Sequence, residues 1–240
     1  VITVLILGAV LVAGLARAIT GFGFALLAVP LLGLQMPLPQ AVALTILLQV
    51  AMIPRDVATA RRHLDRGYLT RLLVGALPAI PLGQIALLTI PPDQARLALA
   101  ALVVVAIIMR AAPAPVAGLI GRAPTPLAGV IAGLMAGLAA MPGPPVVLHA
   151  LARPLSPDQV RATLVMFFGI LSIISLPALI HGGAADRSTI LMAASALPAL
   201  IAADWAGRWV ARRLGSSTFR QLASGLLLVS ACIAAYPMLV

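Results

Sequence analysis

The chain has 240 residues, 62% of them hydrophobic and 9% charged, with a formal net charge of +10. A soluble domain carries roughly 25% charged residues, so a water-soluble fold of this size could not hide the apolar surface, and lipid is the expected solvent. The apolar residues run without alternation, which excludes a transmembrane β-barrel; every basic residue is Arg, and arginines clustered between apolar runs follow the positive-inside rule rather than mark a nucleic-acid partner.

Eight hydrophobic elements follow in order. The first covers residues 1–36 and is interrupted at Thr20-Gly21-Phe22-Gly23. The second covers 39–60, the third 68–90 and the fourth 93–110. A Pro/Gly-rich stretch at 111–125 reads as the longest loop. The fifth covers 126–151 and is interrupted at Met141-Pro142-Gly143-Pro144-Pro145. The sixth covers 157–180, the seventh 188–214 and the eighth 217–239. A span needs ~20 apolar residues, which all but the first and fifth supply as unbroken runs. Ser156-Pro157 and Asp186-Arg187-Ser188 offer helix starts. Pro54, Pro78, Pro81, Pro177 and Pro198 fall inside spans, where a membrane bundle tolerates them as kinks. The chain begins directly on an apolar run, so a cleavable signal peptide is not expected. The lone Cys232 allows no internal disulfide and no Cys-based metal site.

The chain resembles itself at an offset of about 120 residues. Ala13-Gly14-Leu15-Ala16 matches Ala132-Gly133-Leu134-Met135, Gly23 matches Gly143, Leu77-Pro78-Ala79 matches Leu197-Pro198-Ala199, and Ala95-Arg96 matches Phe219-Arg220. Arg55, Arg61, Arg62, Arg66 and Arg71 place the connection between elements two and three inside the cell. A single crossing by element five would put Arg208, Arg212, Arg213 and Arg220 outside; a re-entrant element five keeps them inside. The repeat extends that hairpin to element one. The expected fold is all-α: a polytopic membrane bundle of two inverted four-element repeats, residues 1–116 and 117–240. Each repeat is a re-entrant broken-helix hairpin plus three transmembrane helices, with both termini outside.

Non-helical backbone at membrane depth is tolerated where protein buries it or a cavity meets it. After each break a half-helix begins, and its N-terminus offers free N–H groups and the positive end of a dipole, which suits an anion. Thr20, Gly21, Phe22, Gly23 and Phe24 form the first candidate substrate-binding set; Met141, Pro142, Gly143 and Pro144 form the second. Close helix packing is the competing explanation for the glycines. Arg17 at depth is either a substrate counter-charge or a snorkelling side chain. Asp204 and Arg208 form either an i,i+4 ion pair or a proton-coupling site. Gln35, Gln49, Gln84 and His149 could line a path; His149, on the outgoing half-helix, is the best placed of them.

These motifs resemble the TauE/SafE family of membrane transporters, also called the sulfite exporter family. The resemblance rests on Ala13-Gly14-Leu15-Ala16, Thr20-Gly21-Phe22-Gly23-Phe24 and Val29-Pro30-Leu31 in the first half. In the second it rests on Ala132-Gly133-Leu134-Met135-Ala136-Gly137 and Pro142-Gly143-Pro144-Pro145. It implies transport of sulfite, sulfoacetate, another sulfonate or an organic acid across a bacterial inner membrane, with no cofactor. Family members often carry a glycine-rich second break, where this chain has Ala140, Met141 and Pro142.

Other functions find less support. A metalloprotease needs a His-Glu-x-x-His run, yet there is no Glu, and His63, His149 and His181 stand far apart. No serine sits in a nucleophile elbow and no Walker loop is present, so neither hydrolase chemistry nor ATP hydrolysis is expected, nor a catalytic residue or metal. An anion channel is the alternative that remains open. The expected mechanism is alternating access, one half rocking against the other, with a small anion and the bilayer as partners and self-association into a homo-oligomer left open.

Overall fold

The computed structural model describes residues 2–20, 23–91, 93–94, 97–98, 100–102, 104 and 121–211. Among them every regular element is a helix. The elements are α1 (Ile2–Thr20), α2 (Phe24–Gly33), α3 (Leu38–Ala60), α4 (Arg66–Thr89), α5 (Thr125–Ala139), α6 (Gly143–Leu151), α7 (Pro157–His181) and α8 (Arg187–Ala211). The described residues between 93 and 104 are also helical. The rest of the expected fourth span, the loop at 111–120 and the eighth span with Arg212, Arg213, Arg220 and Cys232 lie outside the described residues.

Local chemistry explains where the long helices start. Asp65 accepts the N–H of Tyr68 at 2.8 Å and caps α4. Ser156 and Gln159 form a reciprocal capping box ahead of α7, with Pro157 in the first turn. Asp186 accepts the N–H of Thr189 at 2.8 Å where α8 begins. The prolines at 54, 78, 81, 177 and 198 all sit inside helices, as expected of a bundle in lipid.

Among the described residues four helices are long and apolar enough to cross a membrane: Leu38–Ala58, Arg66–Thr89, Asp158–His181 and Arg187–Val210. Their outward faces carry exposed Leu82, Ile85, Leu191 and Trp205, a surface that lipid covers and water would not. The protein is a multi-pass membrane protein. α1, α2 and α5 are apolar but shorter.

The tightest packing joins α4 to α5. A Cβ on Gly129 would strike the Leu72 carbonyl, one on Gly133 the Ala76 carbonyl, and one on Gly137 the Ile80 carbonyl. Glycine at every fourth position thus lets two backbones touch along the whole of α5. Gly75 lies against Pro126 and Gly83 against Leu134, so α4 and α5 run parallel. α1 packs in the same way on α8: Gly14 lies against Leu200 and Ala203, and Gly207 against Leu15 and Ala18. These two helices are also parallel. α3 packs on α7, and α2 and α6 lie against α3 and α7 respectively. Ion pairs bring the C-terminal parts of α1, α3 and α8 to one level. α4 starts from that level after the short connection from α3. α1 therefore runs toward the arginine-rich end of the bundle, and α5 runs away from it.

Candidate functional site

Both expected interruptions exist, and among the described residues each has one in the left-handed region. Ahead of α2, Gly23 has φ 106° and ψ −1°, a conformation that an L side chain resists. Gly21, Phe22 and the Thr20 side chain lie outside the described residues. At the second interruption the left-handed residue is Ala140, with φ 55° and ψ 22°. Gly143, expected to make that break, is instead the first residue of α6, after Pro142 in an ordinary right-handed conformation. Ala140 is held there by its N–H bond to the Ala136 carbonyl at 2.8 Å, and Met141 bonds back to Met135 at 3.2 Å. These bonds occupy two of the carbonyls that the end of α5 would leave unpaired.

The two interruptions meet across one cavity. Its wall includes Gly23, Phe24, Ala25 and Leu26 from the first, and Ala140, Met141, Pro142 and Gly143 from the second. Arg17, Gln49 and Asp56 add the polar side chains; Val165, Phe168 and Gly169 of α7 complete it. The cavity holds about 40 Å³. One water needs roughly 10–15 Å³ on that scale, so the space suits a few waters or one small oxyanion.

The two tips are not equivalent donors. α2 has no side-chain cap, and Phe24, Ala25 and Leu26 of its first turn line the cavity. α6 also lacks a side-chain cap, but Pro144 and Pro145 have no N–H, so of residues 143–145 only Gly143 can donate. The second tip therefore offers fewer N–H donors than the first and presents Met141 and Pro142 to the cavity. Pro144 is buried in the first turn of α6 and is not part of the lining.

Arg17 lies at the centre of an ion-pair network. One guanidinium nitrogen pairs with Asp56 and the other lies 3.4 Å from Asp204 Oδ1. Arg55 Nη1 is 2.7 Å and Arg208 Nε 2.9 Å from Asp204 Oδ2. Arg17 lines the cavity and is paired. Asp204 is 1% exposed and does not line the cavity. Its i,i+4 pairing with Arg208 forms as the spacing offers, and two further arginines join it. Among the described residues the network joins Arg17, Arg55 and Arg208 to Asp56 and Asp204.

The sequence reading singled out Arg17 and Asp204 and passed over Asp56. The available signal was that Asp56 and Asp204 are the acids set within long apolar runs away from helix starts. Gln49 lines the cavity, whereas Gln84 donates to the Ser175 carbonyl at 2.6 Å and Gln35 to the Leu31 carbonyl at 3.2 Å. His149 is placed differently from expectation. It is fully buried away from the cavity lining, with Nδ1 2.8 Å from the Tyr68 hydroxyl and Nε2 3.0 Å from the Ala123 carbonyl. An Nε2–H donating to Ala123 leaves Nδ1 to accept from Tyr68; Arg153 then donates to the same carbonyl at 3.1 Å. His149 thus ties α6 to α4 and to the chain entering α5.

A model of the sulfite exporter TauE/SafE family matches residues 6–233. The chain belongs to that family. A curated relative from Cupriavidus necator, named as a probable sulfite/organosulfonate exporter TauE, is 26% identical over 219 residues, covering 88% of this chain and 85% of that protein. No solved structure matches the chain. Both names are those of exporters, which are transporters and not enzymes.

Proposed function

We propose that this protein is a secondary transporter of a small organic or sulfur-containing anion, such as sulfite, sulfoacetate or another sulfonate, working by alternating access. The observation that carries the reading is the convergence of an uncapped helix N-terminus and Arg17 on one small cavity between two broken helices. An oxyanion there takes the α2 amides and the guanidinium, while Met141, Pro142, Val165 and Phe168 accommodate an organic substituent. Gly23 and Phe24 stand on the amide side of the site; Met141, Pro142 and Gly143 form the opposing wall. The exporter names of the family and of the relative support the same substrate class.

The repeats 1–116 and 117–240 are read as inverted. In support, α1 and α5 run in opposite directions relative to the arginine-rich end, and the packing of α1 on α8 has its counterpart in α5 on α4. With that end cytoplasmic, both termini fall outside a bacterial inner membrane. The test is a flux panel in proteoliposomes: sulfite, short sulfonates, carboxylates and phosphate. Sulfite or a sulfonate is expected to move, faster when substrate is present on the far side. A cation moving while every anion stays put sinks the assignment, and flux indifferent to trans substrate makes the protein a channel.

A further inference from the structure

We propose that Asp56 is a built-in counter-anion, which an entering anion displaces from Arg17 and which takes up a proton as it leaves, so that one proton travels with each anion. The proposal rests on the anion-transport reading above. Asp56 and Arg17 are joined by an ion pair and both stand in the cavity wall. The guanidinium that would bind an oxyanion is thus already occupied by a carboxylate of the same charge. An arriving anion must share Arg17 with Asp56 or replace it.

Sharing would crowd two negative charges into a small, largely apolar cavity, and two like charges at such range drive one of them to protonate. A sulfonate is too strong an acid to hold the proton, so it goes to Asp56. In the exchange the Arg17–Asp56 ion pair opens, the oxyanion takes the guanidinium, and a proton from water binds a carboxylate oxygen of Asp56. Release reverses each step, and the charge of the site is the same empty and loaded.

Asp204 does not fit this role. It does not line the cavity, so an entering anion does not meet it. Among the described residues, the charges that act on Asp56 include Arg17 of α1 and Arg208 and Asp204 of α8. Arg55 shares its helix, α7 brings Arg161 near Asp204, Arg17 and Arg208, and α2 has no titratable side chain.

The test uses the full-length protein and ethanesulfonate, whose charge is constant across roughly pH 5 to 8. With the membrane potential clamped in proteoliposomes, an ethanesulfonate gradient is expected to drive protons the same way, one per anion. Affinity is expected to tighten as pH falls, approaching about tenfold per pH unit, the slope for one linked proton. In Asp56→Asn, which mimics the protonated acid, ethanesulfonate affinity should no longer vary with pH and its movement should carry net charge. Ethanesulfonate flux in the unaltered protein without proton movement overturns the proposal while leaving anion transport intact, and needs no variant to fold. The same pH slope in Asp56→Asn also overturns it. Failure of every anion to move removes the transport reading and this proposal together.

Discussion

At the first interruption a glycine holds the left-handed conformation; at the second an alanine does. The glycine leads into a helix whose first turn keeps its amides, while the alanine leads, through Pro142, into one whose second and third residues are prolines. One side of the cavity also brings Arg17 and Asp56, the other Met141, Pro142 and Phe168. The two breaks thus differ in chemistry. In the proposed transporter one would recognise charge, and the other would shape the space around whatever the charge is attached to.

The sharpest way to break that contrast is Arg17→Ala against Met141→Ala. Loss of charge-assisted hydrogen bonds worth about 1.5–3 kcal/mol should weaken ethanesulfonate binding about 10- to 150-fold for Arg17→Ala, read by titration calorimetry on the folded fraction in detergent. A larger loss for Met141→Ala would reverse the roles of the two walls. Gly23→Ala places a Cβ at φ 106° and is expected to destabilise the protein by about 1–3 kcal/mol, seen in thermal unfolding. Ala140→Gly should act in the opposite direction, stabilising by about 0.5–1 kcal/mol as the strain at φ 55° is relieved. Shifts of the same sign would mean that the two turns are not the same kind of device.

The smallest effect lies far from either break, at the start of α8. Hydrogen bonds from the Thr189 side chain and backbone, and from Ser188, hold the Asp186 carboxyl below the usual carboxylate range. Its contribution is present above that range and is lost as pH falls through the lowered value. Asp186→Asn should therefore trim stability slightly at neutral pH and leave no difference in acid, measured by melting temperature against pH.

Local patterns made much of this legible. Caps at Ser156 and Asp186 and runs of span length fixed the long helices to within a few residues, because those signals act over a single turn. The interruptions were legible too, since glycine and proline act on their own backbone. The second, expected at 141–145, overlaps the observed one at 140–142, but its positive φ falls on Ala140 through hydrogen bonds to Met135 and Ala136, and alanine gives no composition signal. The Arg17–Asp56 and Arg17–Asp204 pairs span 39 and 187 residues of sequence. No periodicity links such partners, so each charge is legible singly and only the packing joins them. His149 misled for a related reason: its spacing from Gly143 put it on the right helix but could not say which face met Tyr68.

The glycine seam between α4 and α5 bears on how such a molecule can move. Most helix contacts have pliable side chains between them, which absorb a small slide or tilt. Here backbone lies on backbone, with nothing soft to shear. The seam also fastens the third element of one sequence half to the first element of the other. Any tilt of one helix of this pair is therefore expected to carry the other with it.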